Sequence, residues 1–452
     1  MKKPGQSQVK QVMALSGPIF IELLLQMLVG NADQIMVGQV YPDGVGAIGN
    51  ANQITTLLVL VFSVVSTAST ILISQYIGAR DEKRVGMTYA AALVMNTVFG
   101  IAVSLLLLFG CGPMFRLMGV HAEIFDNTCL YMRIIGAGML FQAIYLTFTA
   151  FFRSAQMVKE TMAVSIFMNC LNIFGNAVLI YGWFGLPALG IAGAAISSGL
   201  SRLVGVVIIA WLFARKFGFR QVWASLRPFP FDELKKLLRI GIPTGSEAMS
   251  YHLSQICVQT VCNQFPTFVV NTRVYANLFA NVSYLFASAT GQACQVVVAR
   301  LMGGGRVEDT NRTTLRTMWL AIAVSAGIST LLWLLCEPVY GLFTDDPRVI
   351  ALAKTIMLIE IPLEIARAVN MVVCWALQAC GDINYPMVIC VVYAWLIGVG
   401  CSWLFGVVFG WGLAGLWLAM AVDEGVRGAL LLWRWYKRTW VNKCLLTDSA
   451  SV

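Results

Sequence analysis

Long apolar runs alternate along the chain with short polar clusters. Twelve runs fall near 10–38, 46–76, 87–110, 126–152, 160–183, 189–214, 236–265, 270–300, 313–336, 350–380, 386–409 and 413–438. A spanning α-helix needs roughly 20 apolar residues to cross a bilayer core, and each run supplies them. The connections are short and leave no room for a soluble catalytic domain. The first run follows a basic N-terminus, but it is too long for a signal-peptide h-region and no small-residue cleavage site follows it, so it is expected to stay in the protein. The pattern predicts an all-α polytopic membrane protein with twelve transmembrane helices.

Composition agrees with the pattern. Of 452 residues 58% are hydrophobic and 12% charged, whereas a soluble domain carries about 45–50% apolar and about 25% charged residues. A chain this poor in charge cannot coat a water-facing surface of its size, which excludes soluble enzymes, nucleic-acid modules and disordered scaffolds. The net charge of +9 suggests a nucleic-acid partner until the charges are placed. Of 31 Lys and Arg residues, 23 fall at the N-terminus, in alternate connections (Arg80, Lys83 and Arg84; Arg153 and Lys159; Arg215 to Arg239; Arg300 to Arg316) and at the C-terminal end. Only Arg116, Arg273, Arg348 and Lys354 fall on the opposite side. By the positive-inside rule both termini are cytoplasmic, and the basic balance reports topology.

The two halves repeat. A shift of 225 residues carries Pro18 onto Pro243, Glu22 onto Glu247, Asn52 onto Asn277, Gly78 onto Gly303, Cys111 onto Cys336 and Pro113 onto Pro338. Arg202 falls on Arg427 at the same shift, and Gly190-Ile-Ala-Gly193 on Gly412-Leu-Ala-Gly415 at 222. The expected organisation is an N-terminal six-helix bundle over 1–214, a cytoplasmic linker over 215–235, a C-terminal six-helix bundle over 236–440 and a tail over 441–452. Six is even, so both bundles enter the membrane from one side and are related by an axis along its normal, with the substrate path expected between them.

An ionisable group inside the membrane is a functional candidate by default. Asp33, in Gly30-Asn-Ala-Asp-Gln34, lies toward the outer half of the first span and is read as a holder of Na⁺ or a proton, the weaker alternative being an interfacial acid facing water. Asn172 and Asn176 are four residues apart on one helix face. Their amide oxygens suit Na⁺ as hard ligands, and they would serve equally as interhelical hydrogen-bond glue. Both positions can meet Asp33 at similar depth. Glu22 and Glu247 each follow a proline by four residues and are read as ties for helix ends that the proline leaves unsatisfied, or as part of a coupling path. His252 could carry a proton or simply pack.

Glu360, Glu364 and Arg367 share a face of the tenth span. Glu364 is expected to pair with Arg367, and Glu424 with Arg427 as a structural ion pair, leaving Glu360 unpaired and suited to a cationic substrate. Glu247, His252, Glu360 and Glu364 are thus the candidates for a substrate or second cation site. The aromatic residues and 20 methionines could line a pocket for flat organic cations. The twelve cysteines show no C-x-x-C pair and no Cys/His ligand spacing, so they are read as small apolar thiols rather than a metal site. Two histidines, far apart, exclude an H-E-x-x-H site, and no G-x-x-x-x-G-K-[ST] run is present. No enzyme and no cofactor is expected, and any pumping would draw on an ion gradient.

Several motifs together resemble the multidrug and toxic compound extrusion (MATE) family: Pro18 with Asp33-Gln-Ile-Met-Val-Gly38, Gly49-Asn-Ala-Asn52, Ser74-Gln-Tyr-Ile-Gly78, Asn172-x-x-x-Asn176, Gly190-Ile-Ala-Gly-Ala-Ala195, Gly291-Gln292 and Gly412-Leu-Ala-Gly-Leu-Trp-Leu-Ala419. The resemblance covers about residues 10–440. It implies an inner-membrane antiporter that expels organic cations in exchange for Na⁺ or H⁺, with Asp33, Asn172 and Asn176 in a cation site of the N-terminal bundle. One subgroup of the family has an acid where this chain has Asn176, and another places C-terminal acids where this chain has Tyr251 and a position near Arg367. The expected partners are the lipid bilayer and small organic cations, with no nucleic acid and the chain acting as a monomer. The other readings are a flippase for a lipid-linked sugar or peptidoglycan precursor, which should line its cleft with cationic residues for pyrophosphate, and a non-transporting membrane scaffold.

Overall fold

A computed structural model describes residues 6–446 apart from 186, 342 and 345. Within them the chain is nearly all helix, with no strand. The helices are α1 (Gln6–Gly38), α2 (Pro42–Ala79), α3 (Glu82–Leu117), α4 (Ala122–Ala137), α5 (Met139–Ser154), α6 (Val158–Tyr181), α7 (Gly190–Lys216), α8 (Phe219–Ala224), α9 (Phe231–Cys262), α10 (Thr267–Gly303), α11 (Val307–Leu334), α12 (Cys336–Tyr340), α13 (Pro347–Cys380), α14 (Asn384–Tyr393), α15 (Gly400–Trp403) and α16 (Gly412–Tyr436). Two π-helical segments, Ala394–Val399 and Leu404–Val408, flank α15 and join it to α14 as one span.

Eight of the described helical stretches are long and apolar enough to cross a membrane by themselves, and the pair α4–α5, bent by 44°, makes a ninth. The other three long helices, α9, α13 and α16, carry charged residues within their length. Most of those charges in α13 and α16 are buried, so the helices pay for membrane residence with internal partners instead of an all-apolar sequence. The twelve spans form two pseudo-symmetric sets of six.

Local sequence explains the helix ends. Asp81 caps α3 by accepting from the Arg84 amide at 3.1 Å, and Asp346 caps α13 through the Arg348 amide at 2.9 Å with Pro347 in the first turn. The paired glycine motifs mark close backbone approaches. A Cβ on Gly193 would lie 2.6 Å from the Leu179 carbonyl oxygen, and one on Gly415 would lie 2.7 Å from that of Phe405. The fifth and sixth spans of each half touch there, as small residues allow in lipid.

Two compact units emerge. One contains Ile21–Ile73 and Asp81–Ile242; the other contains the described residues up to Phe20, Ser74–Arg80 and Pro243 onward. In the first, Phe62, Leu107, Phe115, Tyr131 and Met132 centre the core. In the second, Val258, Tyr340, Ile356, Leu416 and Trp417 do so. Within the second unit the ends of α2 and α10 meet reciprocally. A Cβ on Gly78 would lie 2.0 Å from the Arg300 oxygen, and one on Gly303 would lie 2.0 Å from the Gln75 oxygen. These four residues are repeat equivalents (75 with 300, 78 with 303), so the contact is nearly self-complementary. After α13 the buried Asp382 accepts from Arg434 at 2.8 Å and Lys443 at 2.9 Å. The Lys443 carbonyl lies against Gly381, whose φ of +96° ends the helix.

Candidate functional site

Span 1 carries Asp33 into the first unit, where α6 supplies Asn172 and Asn176 and α7 supplies Ser198. The Asn176 amide donates to Asp33 Oδ1, and the Ser198 hydroxyl lies 3.4 Å from Asp33 Oδ2. Asn172 does not bond Asp33; its Nδ2 donates to Ser198 Oγ at 3.0 Å. Ser197 Oγ in turn donates to the Asn172 backbone carbonyl at 2.9 Å, which fixes α7 against α6 at this level. Both asparagines and Ser198 are buried, and Asp33 is half-buried. The side-chain oxygens of Asn172 and Asn176 are buried without a hydrogen-bond partner. An unsatisfied buried acceptor costs about 1–3 kcal/mol, so this pair is poised to accept from a donor or to ligate a cation.

Asp33, Asn172 and Ser198 line a cavity of about 230 Å³, together with Gln26, Asn52, Tyr131 and Arg202. Arg202 stands one turn after Ser198 on α7. It makes no ion pair within 4 Å among the described residues, and one of its terminal nitrogens is buried without a hydrogen-bond partner. Ser198, Tyr131 and Arg202 were absent from the sequence candidates for this site. A serine in a membrane helix carries no pattern of its own, and only its place just beyond the Gly190–Ala195 motif could have drawn attention to it.

The second unit holds a cavity of about 240 Å³, lined by Tyr251, His252, Tyr284, Glu360, Arg367 and Trp417 among others. Behind it runs a buried charge network. Arg367 pairs with Glu364 and reaches Glu424 at 3.6 Å. Arg427 pairs with Asp423 at 2.5 Å and Glu424 at 3.1 Å, and Asn370 donates to Glu424 at 2.6 Å. Glu364 with Arg367 and Glu424 with Arg427 thus come together, joined into one cluster. Glu360 is not the isolated acid expected from the sequence: Trp417 Nε1 donates to it at 2.7 Å, and Arg367 stands 4.0 Å away. The sequence alone does not reveal the indole's role, because a tryptophan in a glycine motif reads as packing. Four carboxylates against two guanidiniums leave the cluster a formal surplus of two negative charges.

The four C-terminal candidates therefore do not form one site. Glu360 and His252 face the cavity, Glu364 sits in the network, and Glu247 stands apart, bonded to Cys374 at 3.3 Å and Gln378 at 3.0 Å. Its repeat partner Glu22 does not tie a proline-broken helix end either; it forms a 3.1 Å ion pair with Arg153.

A duplicated six-helix unit, with buried polar and ionisable groups around a pocket in each copy, is the architecture of a membrane transporter built from internal repeats. The chain belongs to the MatE family, whose model matches residues 18–178 and 243–404, once on each half and with starts 225 residues apart. It is 33% identical over 443 residues to "Uncharacterized transporter YisQ" of Bacillus subtilis (strain 168), spanning 98% of this chain and 97% of that protein. It is 26% identical over 448 residues to "Probable multidrug resistance protein NorM" of Thermotoga maritima, spanning 97% and 94%. A crystal structure of MATE in the bent conformation matches with a TM-score of 0.88 at 21% identity, covering 98% of this chain and 99% of the other.

Proposed function

We propose that the chain is a cation-coupled antiporter of the inner membrane, with both termini cytoplasmic, that exports organic cations in exchange for Na⁺ or H⁺ by alternating access. The observation that carries this reading is the Asp33 cluster. One carboxylate, held by Asn176 and Ser198, shares a cavity with the uncommitted side-chain oxygen of Asn172, and a second uncommitted oxygen belongs to the Asn176 amide that bonds the same acid. Carboxylate and amide oxygens are the hard donors that an alkali cation takes, and the carboxylate alone can take a proton. Arg202 supplies a fixed positive charge beside the same acid, so a bound coupling ion and the guanidinium compete for it. Ion binding at Asp33 stabilises one arrangement of the N-terminal bundle and weakens its hold on cargo, and by linkage cargo weakens ion binding equally.

The C-terminal cavity supports a cationic cargo through Glu360 and the surplus negative charge beside it; the rings of Tyr251, Tyr284 and Trp417 already carry the guanidiniums of Arg427, Arg367 and Arg273. Its volume falls below the roughly 300 Å³ at which drug-sized pockets begin, so it takes only the charged part of such a molecule. The names of the multidrug-resistance relatives point the same way. Arg202 is the observation that favours an anionic cargo and the flippase reading. Arg367 and Arg427 are committed to acids, which leaves too little free positive charge for a pyrophosphate.

The test is dye transport in proteoliposomes under separately imposed Na⁺ and pH gradients. Ethidium movement should follow at least one gradient and fall to background in Asp33→Asn while the protein remains folded. Full activity in that variant removes Asp33 from the mechanism, and movement under neither gradient leaves the flippase and scaffold readings.

A further inference from the structure

The two halves treat their duplicated glutamate differently. In the N-terminal half Glu22 is neutralised by Arg153 at 3.1 Å. The repeat equivalent of Arg153 is Gln378, which donates to Glu247 at 3.0 Å but brings no charge. Two more substitutions accompany that loss. At the same 225-residue shift Thr149 is replaced by Cys374, and Ser165 by Cys390. Two thiols stand in the C-terminal half where the N-terminal half has hydroxyls, beside the glutamine that stands in place of the arginine.

Those thiols converge on the carboxylate. Cys374 Sγ, Cys390 Sγ and a Glu247 oxygen all lie within 4.8 Å of one another, with 3.3 Å between Cys374 Sγ and Glu247 Oε1. Both cysteines are buried and Glu247 is half-buried. We infer that Glu247, Cys374 and Cys390 form a binding site for a soft d¹⁰ metal ion of the Zn²⁺ class.

The geometry suits tetrahedral zinc. Bonds of about 2.3 Å to sulfur and about 2.1 Å to oxygen place ligand sulfur and oxygen about 3.6 Å apart, and two sulfurs about 3.8 Å apart. The 3.3 Å between Cys374 Sγ and Glu247 Oε1 must open by about 0.3 Å, and the other two separations, already within 4.8 Å, must close by at most about 1.2 Å to reach those values. Gln378, 3.5 Å from Cys374 Sγ, borders the fourth position. Charge also balances. With Glu247 ionised the site carries −1; binding Zn²⁺ expels one proton from each thiol, giving two thiolates, one carboxylate and the ion, again −1. No new charge enters the low-dielectric interior. The hydroxyls of the N-terminal half could not do this, because they do not ionise in the same range and are poor partners for a soft ion.

This site shares no residue with the Asp33 cluster, so failure of either proposal leaves the other standing. The experiment uses the full chain in detergent, stripped of metal under a non-thiol reductant and titrated with Co²⁺ and then Zn²⁺. Co²⁺ should bind at one ion per chain with a thiolate-to-cobalt charge-transfer absorption, and Zn²⁺ should displace it. The double variant Cys374→Thr/Cys390→Ser, which restores the residues of the other half, should lose the band while melting as a folded protein. Glu247→Gln should weaken Zn²⁺ by at least about 10- to 100-fold. On the unmodified chain, Zn²⁺ should protect Cys374 and Cys390 from alkylation, read by mass spectrometry, a measurement that needs no variant to fold. The inference is overturned if the wild type shows no charge-transfer band, if the double variant keeps it, or if Zn²⁺ leaves alkylation of both residues unchanged.

Discussion

Gly303→Ala tests the reciprocal crossing of α2 and α10. The new methyl would sit 2.0 Å from the Gln75 carbonyl oxygen, against an ordinary contact of 3.4 Å or more. The obstacle is main chain and cannot turn aside, so the two helices must part by about 1.4 Å locally. Overpacking of this kind costs about 1–3 kcal/mol, and a main-chain obstacle puts it toward the upper end. With an unfolding entropy of about 2.1 cal/mol/K per residue, about 3 kcal/mol lowers the melting temperature of a chain of this length by about 3 °C. The sharper expectation concerns Gly78→Ala, whose methyl would strike the Arg300 oxygen across the same pair of helices. Parting the helices for one methyl makes room for the other, so the double variant should cost little more than a single one. Independent sites would add. Gly327→Ala is the control: nothing lies within 4 Å of its Cβ, and alanine in an open helical position stabilises by up to about 1 kcal/mol. The measurement is thermal unfolding in detergent followed by a buried-thiol dye. An unchanged melting temperature in Gly303→Ala, or full additivity in the double variant, refutes the shared-crossing argument.

Two further outcomes follow from single contacts. Asn176→Ala removes both a hydrogen bond to Asp33 and one candidate oxygen ligand. A bond to a charged group is worth about 1.5–3 kcal/mol, so the Na⁺ or H⁺ concentration for half-maximal dye efflux should rise at least about tenfold with expression unchanged. Arg153→Gln leaves Glu22 buried without its counterion at a cost of about 3–5 kcal/mol; adding Glu22→Gln should recover much of the lost melting temperature, and failure to recover it would mean that Arg153 acts chiefly through other contacts.

The twelve spans were legible because a bilayer demands length and apolarity; most helices begin and end within five residues of their apolar runs, and α3 overruns its run, 87–110, most, ending at Leu117. The break at Gly138 was not. Glycine is ordinary in membrane helices, and what marks this one is tertiary: Ser104 Oγ accepts from the Leu140 amide at 3.2 Å, satisfying backbone that the bend sets free. The π-helical turns around α15 likewise leave no trace in hydropathy. Asp33 and Asn176 could be singled out because a carboxylate and an amide at similar depth are conspicuous in an apolar chain. Ser198 could not, and neither could Cys374 with Cys390, which lie on separate helices 16 residues apart and follow no ligand spacing. The signal that could have found them was the repeat itself, followed through every polar position instead of only the identical ones.

The residues after α16 are structural up to at least Lys443. Asp382 is 1% exposed and takes its two cations from different places, Arg434 in the last span and Lys443 beyond it. A chain cut at 442 would strand that acid with half its compensation and strip the lid from Gly381. Reporters or purification handles joined to this protein should therefore leave Lys443 and the residues before it in place, so that Asp382 keeps both of its cations.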